Sequence, residues 1–174
     1  MQKFSTRTRL FIAIFVILLS VVASQLWPYE PEILNVNGAK VQVIDGDSFK
    51  TASEEFRLYG IDAPEYRQRC KDETGKDWDC GKVARAGLER LLGVDRHICE
   101  VSARDQYQRA ISTCTDPSGK DLGAELVRLG LAQTAESFGD PVYAKEEGLA
   151  KRAKRGIWKG SFTSPRIWRA ENPR

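Results

Sequence analysis

The sequence predicts an α+β domain in which a small closed β-barrel packs against helices. Residues 40–60 alternate apolar and polar side chains around two turns, which is typical of a three-stranded meander. One helical stripe follows, then two further strand patterns, then two more helical stripes. Five strands interrupted by one helix and followed by two others suit a small barrel with helices packed on it.

The strands are predicted from period-two alternation. "KVQVID" and "SFKTA" flank a turn at Asp45 and Gly46, and "FRLYG" follows the acidic turn "SEE". Two more strands cover about 97–103 and 109–115, separated by "RDQYQ". The first three strands are close enough in sequence to form a meander, which gives the barrel its first half.

The helices are predicted where apolar side chains recur every three or four residues. The first begins near Asp79, the second follows the fifth strand, and the third runs roughly over residues 141–155. The first two apolar stripes and their stops are Ala84, Leu88 and Leu91 before Gly93, and Leu122, Leu126 and Leu129 before Gly130. The polar tail from Pro165 onward is predicted to be irregular.

The N-terminal segment is predicted to direct export. Three basic residues within the first nine positions precede an uncharged stretch from Leu10 to Tyr29. Val21 and Ala23 fit the minus-three and minus-one positions of a cleavage site after Ala23. An uncleaved signal anchor is the alternative, because a stretch of this length can just span a bilayer. Both interpretations place the domain outside the cytoplasm, either periplasmic or secreted, or held at the membrane.

The chain is therefore divided into a signal peptide or anchor at 1–23, a linker at 24–37, a folded domain at 38–160 and a tail at 161–174. Three of the 27 basic residues and none of the 24 acidic ones lie in the first 23 positions, so the processed chain is neutral. Residues 142–174 hold nine basic and three acidic side chains, which fits a polyanion-facing surface or a solvated helix face. Net charge alone gives no information about nucleic-acid binding.

Export makes the four cysteines informative, because an even number can pair completely in an oxidising compartment. Pairing of neighbours joins Cys70 to Cys80 around a polar loop, and Cys99 to Cys114 across two strand-like runs. A zinc site is the rival interpretation. It is disfavoured because no C-x-x-C spacing occurs and His97 is the only histidine.

Charged side chains are concentrated at the ends of the predicted strands. Asp45 and Asp47 flank a turn glycine, and Asp62 and Glu65 follow the third strand. If the third strand lies beside the first, three carboxylates and the carbonyl before Pro64 meet at one rim of the barrel. Hard oxygen donors gathered in this way suit Ca²⁺ or Mg²⁺ and repel one another without a cation. The pattern predicts a metal and phosphate site.

Each of these fragments is weak when taken singly. "DGD" is a common turn sequence, a lone Arg57 on a strand is usually an exposed partner of a carboxylate, and "DQYQR" reads as a hairpin loop. Their order and spacing are more specific than any one of them.

Over residues 38–158 the chain resembles the staphylococcal nuclease, or thermonuclease, family. The stretches that carry the resemblance are "VIDGDSF", "FRLYGIDAPE", "DQYQRAIS", "LVRLGLA" and "AKRAKRGIW". The resemblance implies an OB-type five-stranded barrel with three helices. It also implies a Ca²⁺-dependent phosphodiesterase that acts on DNA and RNA, with no stable protein partner.

The resemblance also implies roles for individual residues. The metal site would hold one Ca²⁺ ion through Asp47, Asp62 and the backbone carbonyl of Ala63, with Asp45 behind them. The three catalytic side chains would be Arg57, Glu65 and Arg109.

Several positions depart from the family pattern. Ser48 and Ala63 replace threonines, and Gln108 stands where a glycine is usual. Glu136 and Phe138 fall where the family's namesake has two tyrosines in its nucleotide pocket, so substrate preference is affected more than activity. Tyr107 and Phe138 are the predicted substrate contacts, because an aromatic side chain can stack on a base.

Two other functions remain compatible with the sequence. One is a nucleic-acid-binding module without catalysis, although no catalytic arginine or glutamate is missing here. The other is an accessory role in the cell envelope, for example in surface polysaccharide production.

Overall fold

The computed structural model describes residues 11–20, 31–135 and 141–173. The chain forms two compact units, Met1–Pro31 and Glu32–Arg174. In the first unit residues 11–20 are helical (α1), and the rest of the predicted signal segment lies outside the described residues. Within the described ranges, no helix has the length and apolarity needed to cross a bilayer.

The second unit is built around a curled six-stranded sheet with the hydrogen-bonding order β1-β8-β9-β4-β3-β2. Its neighbouring strands are antiparallel except β4 and β9, which are parallel. Two short ladders, β5 with β10 and β6 with β7, lie outside it. The strands are β1 (Glu32–Asn37), β2 (Gln42–Val43), β3 (Ser48–Lys50), β4 (Glu55–Leu58), β5 (Ile61–Asp62), β6 (Cys70–Lys71), β7 (Asp77–Trp78), β8 (Arg96–Arg104), β9 (Ala110–Thr115) and β10 (Gln133–Thr134).

Among the described residues of this unit, four α-helices follow the meander, and 3₁₀ turns cover Gly38–Lys40 and Gly156–Lys159. Ala84 and Leu88 of the predicted apolar stripe in the first of these helices are fully buried. Leu91 is only partly buried, and Leu92 is the fully buried residue at the end of this helix. Tyr143 packs into the same core and donates a hydrogen bond to Asp121 (2.7 Å). The helices are α2 (Cys80–Leu92), α3 (Leu122–Arg128), α4 (Ala144–Arg152) and α5 (Pro165–Glu171).

The mixed α+β class is confirmed, but a five-stranded barrel with three helices is not confirmed in that form. The additional strand is β1, which lies within the predicted linker. Its Leu34 and Val36 pack against the core while their neighbours face outward, and β1 pairs along its whole length with β8. This period-two pattern is what an edge strand of a half-buried sheet requires.

The sequence prediction was also wrong about the tail and about one strand neighbour. Residues Pro165–Glu171 form helix α5, because Ser164 caps it and Pro165 suits the first helical turn. Helix α4 is shorter than predicted and covers Ala144–Arg152. The third predicted strand, β4, lies between β3 and β9 and not beside β2.

The core is completed by two disulfides with the predicted pairing, Cys70–Cys80 and Cys99–Cys114. Cys99 and Cys114 face each other across β8 and β9, and both are fully buried. The other bridge closes the β6–β7 hairpin and packs with Ile157 in a smaller apolar cluster. Together the two bridges use every cysteine of the chain, so none is free to bind zinc and the zinc alternative is excluded.

Removing the Cys99–Cys114 bridge is expected to lower the free energy of unfolding by about 3 kcal/mol. The bridge spans 15 residues, and the loss comes mainly from the greater freedom of the unfolded chain. The double variant Cys99→Ala/Cys114→Ala should therefore unfold at a lower urea concentration than the parent. Two free thiols in the non-reduced parent protein, or a bridge between Cys70 and Cys114, would contradict the pairing.

Candidate active site

The turn between β2 and β3 buries Asp47, whose side chain is 3% exposed. One of its carboxylate oxygens accepts hydrogen bonds from Ser48 Oγ (2.7 Å) and Arg57 Nη1 (3.0 Å), and the other accepts from the Ala63 amide (3.1 Å). Burial raises the pKa of Asp47, but the Arg57 charge and these hydrogen bonds outweigh it and hold the pKa below its ordinary value. Asp47 is therefore a buried, ionised carboxylate.

Arg57 joins two carboxylates that lie 15 positions apart in sequence. It stands on β4, and its Nη2 lies 3.2 Å from Asp62 Oδ1 while Nη1 binds Asp47. Its pKa is raised, chiefly by the negative charge of Asp47. A planar guanidinium can bridge two acids in this way because its donors diverge from one carbon.

The approach of Asp62 to Asp47 depends on backbone contacts and not on pairing of the first and third strands. The Leu58 amide donates to the Asp47 carbonyl (2.9 Å), and the chain then turns into β5. Gly46 allows the β2–β3 turn to lie against α2, because a Cβ there would fall 2.7 Å from the Cβ atoms of both Ala63 and Ala84. Asp47 and Asp62 are thus brought together through Arg57, and the Ala63 amide binds Asp47, without the strand pairing that the sequence suggested.

Asp45 shows that the cluster carries more negative charge than its arginines neutralise. Burial first, and then the nearby charges of Asp47 and Glu65, raise its pKa to about 7. The pKa of Asp62 is also raised, by burial first and then by Asp47, although hydrogen bonds from arginines oppose the shift. Such a cluster favours binding of an additional cation.

Glu65 lies in the loop after β5, and that loop is fixed by Gln68. The backbone amide of Glu65 donates to Gln68 Oε1 (3.2 Å), and the backbone amide of Gln68 donates to the Glu65 backbone carbonyl (2.7 Å). Gly81 in the first turn of α2 lets the helix approach, since a Cβ there would collide with the Glu65 carbonyl. The side chain of Glu65 is 12% exposed and lies at the rim of the cluster.

A third arginine, which the sequence analysis did not assign to the site, completes the cluster. Arg169 on α5 places Nη1 2.9 Å from Asp62 Oδ1 and 3.0 Å from Glu65 Oε1. Its pKa is raised, because the hydrogen bonds and charges of these two acids outweigh the effect of burial. Asp62 and Glu65 are therefore both held by arginine side chains.

The donor set fits a hard divalent cation chemically, because carboxylate oxygens are the ligands that Ca²⁺ prefers. The side chains are not arranged as a finished cage. In the described part of the chain, no group of three or more acidic, histidine or cysteine side chains stands in metal-ligating geometry. Arg57 and Arg169 hold oxygens that a metal would need.

Arg109 is positioned one residue before β9, whose Ile111 is in register with Arg57 on β4. Its guanidinium binds Asp105 (Nε to Oδ2, 2.8 Å) and lies over the ring of Tyr107 at 5.6 Å. The structure therefore brings together Arg57 and the acids, while Arg109 is held at the tip of the neighbouring hairpin.

Comparison with known proteins identifies the family. Residues 55–160 match the family described as staphylococcal nuclease homologue. The chain belongs to the staphylococcal nuclease family. This range includes Arg57, Asp62, Glu65 and Arg109, and it ends before α5, so the arginine that α5 contributes lies outside the family match.

Individual relatives carry nuclease names and one carries a polysaccharide name. The succinoglycan biosynthesis protein ExoI of Rhizobium meliloti is 37% identical over 121 residues, covering 69% of this chain and 63% of that protein. An uncharacterized endonuclease of Escherichia coli O157:H7 is 28% identical over 141 residues, covering 78% and 86%. The probable endonuclease LCL3 of Colletotrichum graminicola is 31% identical, covering 65% and 45%.

Within this nuclease fold, the departure at Gln108 has a structural consequence. Gln108 has a φ of 64°, in the left-handed region where glycine is favoured, and its amide donates to the Asp105 carbonyl (2.9 Å). Asp105 also accepts hydrogen bonds from the amides of Tyr107 and Arg109. The hairpin tip thus retains a tight turn and places a strained residue directly before Arg109.

Gln108→Gly is expected to raise the free energy of unfolding by about 0.5–1 kcal/mol. The left-handed conformation costs a non-glycine residue roughly 1–2 kcal/mol, and the greater freedom of glycine in the unfolded chain offsets part of the gain. Urea unfolding measures the change. The matched control is Gln106→Gly in the same loop, where φ is not positive and the substitution should give no gain. Equal effects at both positions would contradict the strain argument.

Of the two predicted substrate contacts, Tyr107 and Phe138, only Tyr107 lies within the described residues. Tyr107 is 71% exposed beside Arg109, where its ring is accessible to a base. Phe138 and Glu136 lie outside the described residues. His97, the other residue of the zinc alternative, is buried with its Nε2 2.8 Å from the Leu92 carbonyl.

Two residues that shape the candidate site, Gln68 and Arg169, were not predicted from the sequence. The only available signal for α5 was Ser164 followed by Pro165, a common helix start. Nothing local indicated that a residue 104 positions after Glu65 would contact it.

Proposed function

We propose that this protein is an exported, Ca²⁺-dependent endonuclease that hydrolyses phosphodiester bonds in DNA and RNA. The observation that carries the proposal is the buried network of Asp47, Arg57 and Asp62 with the Glu65 carboxylate at its rim. Family membership and the names of the endonuclease relatives support the same class of reaction. The OB-type barrel that the resemblance implies is part of the same proposal.

Glu65 has the properties of a general base. Its carboxylate lies at the rim of the cluster, and the loop that carries it is fixed by Gln68. In the proposed reaction Glu65 accepts a proton from the attacking water as the oxygen of that water bonds to phosphorus. The bond from phosphorus to the leaving oxygen then breaks. A positioned base of this kind contributes about 10²- to 10⁴-fold in rate.

Arg57 and Arg109 would stabilise the negative charge that develops on the phosphate oxygens. Arg57 uses two of its donors on Asp47 and Asp62, which leaves others for the substrate. Arg109 is aligned by Asp105 at the adjacent hairpin, and its remaining donors would bind a phosphate oxygen. Donors fixed before the reaction starts stabilise the transition state without a cost of reorganisation.

The metal ligands would be Asp47, Asp62 and the carbonyl of Ala63, with Asp45 supporting them from behind. A bound Ca²⁺ would supply Lewis-acid stabilisation of the phosphate charge. The high pKa of Asp45 supports this assignment, because excess buried negative charge favours the bound cation.

Export is proposed from the N-terminal segment and agrees with the presence of two disulfides, which persist in oxidising compartments. A periplasmic or secreted location also separates a nuclease from the chromosome. The same segment left uncleaved would hold the domain at the membrane, outside the cytoplasm. Cell fractionation with N-terminal sequencing distinguishes a start near Ser24 from an unprocessed N-terminus.

The test of the proposed function is digestion of plasmid DNA and of RNA by the purified protein. Cleavage of both is expected with Ca²⁺, with loss of cleavage on addition of a chelator and recovery when Ca²⁺ is restored. No cleavage of either nucleic acid under any of these conditions would contradict the proposal. Cleavage that persists in the chelator would contradict the metal dependence alone.

A second candidate function is a role in surface polysaccharide production, which the succinoglycan biosynthesis relative favours. A deletion strain complemented with the parent or with Glu65→Gln separates the two candidates. Restored polysaccharide with the parent but not with Glu65→Gln would join the envelope role to catalysis. Restoration by both would favour an accessory role without catalysis.

A further inference from the structure

Residues 161–171, named here the C-terminal strap, follow the family-matched range and contact the catalytic cluster. The strap contains helix α5, whose Arg169 hydrogen-bonds to the site. A single nitrogen of Arg169 bridges the proposed metal ligand Asp62 and the proposed general base Glu65. The positive charge thus lies between the two acids that the reaction needs.

The strap is fastened to the same loop that carries Glu65. Gln68 is 1% exposed, and its Nε2 donates to the Thr163 carbonyl (2.6 Å) while its Oε1 accepts from the Glu65 amide. A backbone hydrogen bond from Lys71 to the Ser161 carbonyl (2.8 Å) adds a second attachment. Movement of the strap and the position of the base are therefore linked through one buried side chain.

The start of α5 directs Arg169 toward the cluster. Ser164 caps the helix, and Pro165 in its first turn is buried. Residues four apart lie on the same face of a helix, so burial of Pro165 turns Arg169 inward. Arg169 is nevertheless 38% exposed, which means that it can leave without opening the core.

The hydrogen bonds of Arg169 compete with the roles proposed for the carboxylates of Asp62 and Glu65. Arg169 and Arg57 both donate to Asp62 Oδ1, and Arg169 also donates to Glu65 Oε1. A divalent cation bound to the Asp62 carboxylate would lie close to that oxygen and would repel a guanidinium beside it. A base must also have a free lone pair to accept a proton, and Arg169 occupies one oxygen of Glu65.

We propose that the C-terminal strap is an autoinhibitory element in which Arg169 occupies the cation position of the active site until Ca²⁺ displaces it. This inference rests on the proposed nuclease function and adds a regulation of the same site. It follows that Ca²⁺ binding and attachment of α5 are mutually exclusive, so each weakens the other.

The first test measures Ca²⁺ binding by calorimetry in the absence of nucleic acid. Arg169→Gln is expected to bind Ca²⁺ about tenfold more tightly than the parent, because a charge-assisted hydrogen bond no longer competes. Arg169→Lys should fall between the two, since lysine keeps the charge without the planar fork. Arg152→Gln, which removes an exposed arginine from α4, is the control for net charge and should match the parent.

The second test measures hydrogen exchange of the strap amides by mass spectrometry. Exchange over residues 165–171 should become faster when Ca²⁺ is added to the parent. It should also become faster in Glu65→Gln without any metal, because one of the two contacts of Arg169 is weakened. This second comparison tests the contact itself and does not depend on Ca²⁺ binding.

The outcomes separate the strap from the nuclease function. Parent and Arg169→Gln proteins that both cleave DNA and bind Ca²⁺ equally would overturn the strap proposal and leave the nuclease proposal intact. Weaker Ca²⁺ binding by Arg169→Gln, or slower strap exchange with Ca²⁺, would overturn it as well. Absence of both Ca²⁺ binding and cleavage in all variants would overturn both proposals.

Discussion

Glu65→Gln is expected to slow cleavage of DNA by about 10²- to 10⁴-fold, while binding of Ca²⁺ and nucleic acid stays within a few-fold of the parent. The amide has nearly the same shape as the carboxylate, but it cannot accept the proton of the attacking water. Gln68 binds the backbone of Glu65 and not its side chain, so the loop should keep its position. Initial rates at saturating Ca²⁺, together with direct binding measurements, check this result.

The matched control is Glu73→Gln, the same change at an exposed position in the loop between Cys70 and Cys80. It should cleave DNA at the parental rate. Glu65→Gln also weakens the hydrogen bond from Arg169 to residue 65, and that change by itself would favour activity. A large loss of cleavage would therefore point to loss of the base. Parental cleavage by Glu65→Gln would remove Glu65 from the mechanism.

Features encoded in a short stretch of chain were predicted well from the sequence. Helix α2 covers Cys80–Leu92 and is bounded by Asp79 and Gly93, as its apolar stripe and stop residue indicate. Cys99 and Cys114 pair because two strands joined by a hairpin must lie side by side. In each case the deciding interactions lie within about 15 residues of one another.

Features that depend on distant partners were not predicted. Strand β1 looks like a linker in isolation, and it becomes a strand only because the outer edge of β8 is available to it. The carboxylates converge although β4 is not beside β2, since the Asp47 turn is fixed by hydrogen bonds from Leu58 and Ala63. The alternation around Leu34 and Val36 is compatible with a strand, but the local residue pattern does not identify its partner, and the same holds for the Asp47 turn.

The candidate site also combines residues that local motifs predicted with a residue that only the fold brings there. The motifs "DGD" and "IDAPE" pointed to the acids. In the structure two of them, Asp47 and Asp62, share one arginine, Arg57. The contact from Arg169 to Asp62 spans 107 positions and depends on the path of the whole C-terminal segment. Sequence patterns can therefore nominate the chemistry of a site, whereas the groups that restrain it require the fold.

Arg57→Lys is expected to lower kcat/KM for DNA by about 10²- to 10³-fold, which is the usual effect of removing one preorganised donor. Lysine retains the charge, but a single ammonium group cannot bind Asp47 and Asp62 together and still donate to a phosphate. One carboxylate is then left with a weaker partner in a buried position, so the protein should also lose about 1–3 kcal/mol of stability.

The control for Arg57→Lys is Arg104→Lys, because Arg104 also bridges two acids, Glu32 and Glu54, but does so on the exposed surface. Exposed ion pairs contribute little to stability, so this variant should keep both its stability and its cleavage rate. Urea unfolding at the assay temperature separates loss of folded protein from loss of catalysis. If Arg57→Lys is fully folded and cleaves DNA as fast as Arg104→Lys, the bridging guanidinium has no part in the reaction, and Arg57 serves only to hold the two acids together.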